Sequence, residues 1–112
     1  MPGVYAPARG DFVWLEFSPQ AGHEQAGHRP ALVISPEPYN RKTGLALVCP
    51  ITTQIKGYPF EVLVPQGLKA KGVILSDQIK SLDWKARKAS LMGRAPASVI
   101  AEVLAKAGTL IS

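Results

Sequence analysis

LALVCPIT, residues 45–52, is the stretch on which the fold turns. It reads as a strand apolar on both faces, which belongs in the middle of a sheet. Upstream, ALVIS (31–35) is a second short apolar strand, with Pro30 at its start, where a proline is tolerated. PEPYNRKTG (36–44) joins the two as a turn-rich connector. Before them lies DFVWLEF (11–17), in which Asp11, Val13, Leu15 and Phe17 alternate with Phe12, Trp14 and Glu16, a strand pattern rich in aromatics. Between those strands SPQAGHEQAGHRP (18–30) carries two Gly, two Pro and two His without periodicity and reads as a long loop. Long loops in compact domains tend to be functional or disordered.

Downstream of the central strand, TQIKGYP (53–59) is a loop. FEVLV (60–64) sets Phe60, Val62 and Val64 against Glu61 and Leu63, and PQGLKAKG (65–72) is a polar turn. GVILSDQIKSLD (72–83) starts as a strand and turns polar, with one helical turn expected around Gln78–Leu82. WKARKASLMGRA (84–95) reads as the last strand, with Trp84, Ala86, Leu91 and Met92 as core residues. Pro96 suits a helix N-terminus. Behind it Val99, Ile100, Val103, Leu104, Ala107 and Leu110 fall on one helical face. Short strands at close spacing followed by one helix predict a mainly β fold with a C-terminal helix: a small, strongly bent sheet or barrel whose apolar face the helix covers. No βαβ alternation appears, which argues against a Rossmann-like fold.

Composition narrows the function. At 112 residues the chain predicts a single domain, 1–112, large enough to bury roughly 65% of its unfolded surface. One cysteine, Cys49, excludes an internal disulfide; in a central apolar strand it reads as an inert small hydrophobe. The start, MPGVYAPARGD, has neither a basic cluster nor an apolar run, so no secretory signal is expected. No apolar stretch approaches the roughly 20 residues of a membrane span, and a cytoplasmic protein is expected. The net charge of +5, with an isoelectric point near 9.6, leans toward a polyanionic partner.

The loop GHEQAGHRP (22–30) concentrates Glu24, His23, His28 and Arg29. HEQAGH resembles the zinc motif HExxH, but its histidines are five apart with Gly27 between them, so no metal site is expected. Arg29 stands just before a buried strand, where its planar fork suits a phosphate or carboxylate; a surface ion pair is the competing fate. Glu24 is a general-base candidate and His28 a proton-shuttle candidate, or else a solvated carboxylate and a packing imidazole. Thr52 and Thr53 end the central strand, where their hydroxyls either donate to an anion or cap the strand end. Lys56, Lys80, Lys85, Arg87 and Lys88 supply basic surface, and Lys85 and Arg87 are expected on one strand face. Phe17, Tyr39 and Tyr58 are placed to stack on bases or to pack loop hinges.

Five blocks in order, RGDFVWLEFSP, EQAGHRPALVISP, YNRKTG, CPITTQIKGYPFEV and GVILSDQIKSLDW, closely resemble the MazF/PemK family of toxin endoribonucleases from about Tyr5 onward. The resemblance implies an SH3-like small β-barrel with a terminal helix, of the MazF/PemK/CcdB kind, and a homodimer with its active sites near the interface. It implies cleavage of single-stranded RNA without metal or cofactor, leaving a 2′,3′-cyclic phosphate and a 5′-hydroxyl, and neutralisation by an acidic antitoxin. The EQAGHRP block places the catalytic Arg at Arg29, with Glu24 as acid/base and His28 beside it. PITTQ places the catalytic Thr at Thr52. KGYPFEV and SDQIKS imply RNA contacts at Lys56, Gln78 and Lys80, and Arg87 joins them as a basic contact. PQGLKAK (65–71) and Ile55 depart from the family pattern and bear on base preference. Two classes compete: a CcdB-like gyrase poison, a similar fold acting by binding a protein, and a non-catalytic nucleic-acid or peptide-binding barrel, since a fold alone fixes no function.

Overall fold

The computed structural model describes residues 5–17 and 27–111. Among them the elements run β1 (Asp11–Phe17), β2 (Gly27–Val33), α1 (Glu37–Thr43), β3 (Leu45–Thr52), β4 (Glu61–Leu63), β5 (Val73–Leu75), β6 (Lys80–Asp83), β7 (Ser90–Arg94) and α2 (Ala97–Gly108). All strand pairs are antiparallel, in the order β4-β5-β3-β2-β1-β7. β3 is central as its apolar pattern predicts: it pairs β2, then β6 along Leu45–Val48 and β5 along Ile51–Thr52. The result is a small, barrel-like, mainly β fold with a C-terminal helix.

Pleating splits the core in two. Phe12, Leu32, Cys49, Ile51 and Ile74 pack with Val99 and Val103 of α2, so the helix covers that face as expected. Val13, Leu15, Ala31, Val33, Ala46 and Val48 form the other cluster, with Trp84. Val62 and Val64 are buried while Leu63 faces solvent, in phase with the alternation read for 60–64. Burial pushes the Cys49 thiol up to about 12, with the Asp77 charge adding to it, so the cysteine is inert as expected.

The structure departs from the sequence reading at five places. β2 begins at Gly27, not at Ala31, because β1 runs seven residues and Phe17 finds its partner in Gly27. Over Gly27–Pro30 the strand pairs only with β1, so Pro30 sits on an effective edge, where its missing N–H is harmless. The connector 36–44 contains a helix, α1. Glu37 in its first turn, Arg41 and Lys42 in its last, and Gly44 at φ +75 are local helix signals. A nine-residue connector with two prolines and no apolar periodicity hid them. Asn40 anchors the helix: fully buried, it donates from Nδ2 to the carbonyls of Pro7 and Ser35, each at 2.9 Å, and accepts the indole N–H of Trp84 on its carbonyl at 2.8 Å.

Around Gln78–Leu82 there is no helical turn; Lys80–Asp83 is strand β6, held by β3 in the register Val48↔Lys80. The last strand starts at Ser90, and 84–88 is a turn with Lys88 at φ +52. Trp84 and Met92 are buried as expected, but Ala86 and Leu91 are exposed. Lys85 and Arg87 therefore share no strand face. α2 ends at Gly108, which leaves Leu110 outside the helix and exposed.

Candidate functional site

The pleat decides which side chains meet. In β2, Arg29 shares a face with Ala31 and Val33, whereas His28 alternates with it and shares a face with Pro30 and Leu32. Arg29 stands opposite Leu15 of β1, and Ala31 opposite Pro50 of β3. Continued by two residues, that second register sets Arg29 level with Thr52, the last residue of β3. Both line one hollow of about 370 Å³, together with Gln78 and Lys80. Leu15, Ala31 and Val48 also line it, so its wall is partly apolar.

A second hollow of about 170 Å³ shares Thr52, Leu75 and Gln78 with the first and adds Gln54, Lys56, Tyr58 and Glu61. The two form one groove with Thr52 and Gln78 at its junction. Arg29, Lys56 and Lys80 give it three cations against the single carboxylate of Glu61. Such a groove attracts an extended anion. At the junction, Thr52 Oγ1 accepts the Gln54 N–H at 3.1 Å. A hydroxyl oxygen that accepts there keeps its own proton for an anion.

The structure brings Arg29, Thr52, Gln78, Lys80 and Lys56 together, and it places the other candidates elsewhere. His28 pairs with Glu16 at 3.3 Å, with the Trp14 ring 6.2 Å away, and does not line either hollow. Arg87 lies in the turn after β6, where its carbonyl accepts the Glu16 N–H at 2.7 Å and its Nη1 donates to the Glu16 carbonyl at 3.5 Å. Glu24 falls in 18–26, outside the described residues. Among the described residues no group of His, Cys, Asp or Glu is arranged to hold a metal ion, and no helix is long and apolar enough to cross a membrane.

Sequence reasoning passed over Gln54 and Glu61. Both follow a recognisable polar signal: Gln54 adjoins the Thr pair, and Glu61 is the outward residue of an alternating strand directly after a Lys-Gly-Tyr loop.

A family model for "PemK-like, MazF-like toxin of type II toxin-antitoxin system" matches residues 8–111. The chain is 50% identical over 111 residues to the endoribonuclease toxin MazF of Escherichia coli K12, covering 99% of each chain. It is 34% identical over 109 residues to the endoribonuclease PemK of Escherichia coli, covering 93% of this chain and 81% of that one. Among solved structures, a MazE–MazF crystal structure (Form-II) from Deinococcus radiodurans superposes with a TM-score of 0.92 at 55% identity, covering 96% of this chain and 97% of that one.

Proposed function

This chain belongs to the PemK-like, MazF-like toxins of type II toxin–antitoxin systems, and from that premise we propose that its groove cuts single-stranded RNA through the RNA's own 2′-hydroxyl. The chain is an endoribonuclease toxin, and its protein partner is an antitoxin. The observation that carries the site is the convergence of Arg29 and Thr52 on one face, at one hollow, from neighbouring strands.

The chemistry needs little from the protein. A base takes the 2′-proton, and the freed oxygen attacks the adjacent phosphorus. The phosphorus–O5′ bond breaks and the departing oxygen takes up a proton. The products are a 2′,3′-cyclic phosphate and a 5′-hydroxyl. The Arg29 fork suits the non-bridging oxygens, where charge builds up, and Thr52 Oγ1 donates to the same phosphate. Lys56, Gln78 and Lys80 hold the flanking backbone and bases. Glu24 is the base on family resemblance, since His28 lies across the pleat from Arg29 and is paired with Glu16. Because RNA supplies the nucleophile, no metal is required. The active form is a cytoplasmic homodimer. A gyrase poison of the CcdB kind needs no such phosphate-directed pair, and the relatives' names also favour the nuclease.

The test is incubation of the protein with total RNA and with a defined oligonucleotide, with and without EDTA. Cleavage is expected to survive EDTA, to fall about 10²-fold or more in Thr52→Ala with an unchanged melt, and to vanish when the nucleotide 5′ to the cut carries 2′-deoxyribose. Loss in EDTA, or cutting of the deoxy substrate, overturns the mechanism.

A further inference from the structure

Glu61 is the only carboxylate among the described residues that line the groove. A negative charge beside a polyanionic substrate opposes binding, so its position calls for a compensating role. Its hydrogen bonds show one. Oε2 accepts the backbone N–H of Lys56 at 3.1 Å and Oε1 accepts that of Gly57 at 3.0 Å. The Glu61 N–H in turn donates to the Tyr58 carbonyl at 3.1 Å. The segment 56–58 thus folds around a single carboxylate, and Gly57 supplies the φ of +78 that the curl requires. The same residue is tied to the body of the protein, because Lys106 of α2 donates from Nζ to the Glu61 carbonyl at 3.1 Å.

What this segment presents is the outer wall of the smaller hollow. Lys56 and Tyr58 line it with Gln78, and Tyr58 is 47% exposed. About 170 Å³ gives room for one nucleobase. A half-exposed phenol is a stacking surface for any base, whereas the Gln78 and Gln54 amides and the Lys56 ammonium discriminate base edges. Discrimination of this kind depends on the wall staying in place. A loop free to move would accept several bases by rearranging around them.

We infer that Glu61 is a positioning residue for sequence preference: its carboxylate clamps Lys56 and Gly57 so that the smaller hollow keeps one shape and admits one kind of base next to the cut. The clamp acts on recognition and not on the phosphate, because it bonds to the loop backbone beside the smaller hollow, which Arg29 does not line. This inference rests on the RNA-cleaving reading above.

The test uses the full chain with Glu61→Gln, which keeps one acceptor oxygen, and Glu61→Ala, which keeps none. Three quantities are read. Hydrogen exchange at the Lys56 and Gly57 amides, without RNA, is expected to accelerate in both variants and most in Ala. Sequencing of cut ends from a randomised RNA pool is expected to show a broader choice of base beside the cut in Ala, with Gln intermediate. On the best wild-type substrate, KM is expected to be about tenfold higher in Ala than in Gln, the equivalent of one hydrogen bond, since both variants remove the same charge, with a smaller change in kcat. Unchanged amide exchange overturns the clamp. An unaltered distribution of cut sites, with kcat lowered uniformly, overturns the role in preference and leaves Glu61 a structural residue; the near-isosteric Gln variant decides this if the Ala variant fails to fold. Absence of RNA cleavage by wild type overturns the preference role together with the reading beneath it, and is told apart from a failure of Glu61 alone because wild type is itself inactive.

Discussion

The two halves of β2 are built from the same strand on the same sheet and do opposite things. Ala31, Leu32 and Val33 are buried, while Gly27, His28 and Arg29 are exposed. Ala31 and Val33 share their face with Arg29, so a single row of side chains passes from core to groove within five residues. The change comes from the neighbours. Ala31 and Leu32 pair with β1 on one side and β3 on the other, and Val33 pairs with β3 while its carbonyl accepts the Gly10 N–H, whereas Gly27 to Pro30 pair only with β1. Where both partners are present the strand is core, and where one is missing it becomes the wall of a hollow. Core and groove are therefore separated along one strand, and with them, on the proposed reading, stability and chemistry.

That separation can be broken experimentally. In the buried half, Leu32→Ala is expected to cost about 2–5 kcal/mol, measured by denaturant unfolding, while any surviving folded protein keeps its cleavage. The exposed half should show the reverse. Arg29→Ala is expected to lower kcat/KM about 10²–10³-fold with the unfolding free energy within about 0.5 kcal/mol of wild type. Near-normal cleavage by a folded Arg29→Ala protein would remove the Arg from the reaction and the contrast with it.

Gly72 tests whether the two kinds of role meet. Its φ is +107, and a Cβ there would land on the Thr52 carbonyl oxygen and lie 2.9 Å from the Thr53 Cα. Gly72→Ala is expected to cost about 1–3 kcal/mol of stability and to lower cleavage by displacing Thr52. Gly67→Ala is the control, with a φ of +91 and open space around its Cβ; it carries the strain without the collision. A cycle with Thr52→Ala reads the coupling: once Thr52 is removed, Gly72→Ala should add little further loss of cleavage. Additive losses would show that Gly72 matters for folding alone.

The smallest effect belongs to Cys49. Burial raises its thiol from 9.0 to about 12. Between those values the unfolded chain releases the proton and the folded chain keeps it, so stability is fully present below pH 9 and falls as pH rises toward 12, by at most about 1.4 kcal/mol per pH unit. Cys49→Ala is expected to make the alkaline decline shallower in melts taken across that window. An unchanged slope would mean that the thiol does not titrate with unfolding.

Local pattern was enough for the parts whose residues carry their own periodicity. The doubly apolar run Leu45–Thr52 is the central strand, Asp11–Phe17 is a strand over its full predicted length, and the Val99–Val103–Ala107 row buries against the sheet. The sequence also singles out Arg29, Thr52, Lys56, Gln78 and Lys80, all of which line the groove. Polar residues at the ends of apolar strands lie where a sheet surface opens, and the family's blocks fall on those ends.

Tertiary structure decided what depends on a partner strand or a distant anchor. α1 is held by Asn40 reaching Pro7 and by Trp84 reaching Asn40, contacts 33 and 44 residues apart in sequence. β6 is a strand because β3 offers it an edge, although Gln78–Leu82 by itself favours a turn. His28 and Arg29 are adjacent in the chain, so sequence grouped them; the pleat sends one to Glu16 and the other to Thr52. Glu61 gained its role only from the fold of the loop before it. The sequence alone determined which residue types were available and the faces that its apolar rows would hide. Which polar residues then share a groove was decided by strand register and pairing, since side chains alternate at every residue and a neighbouring strand, not a neighbouring residue, sets what each one meets.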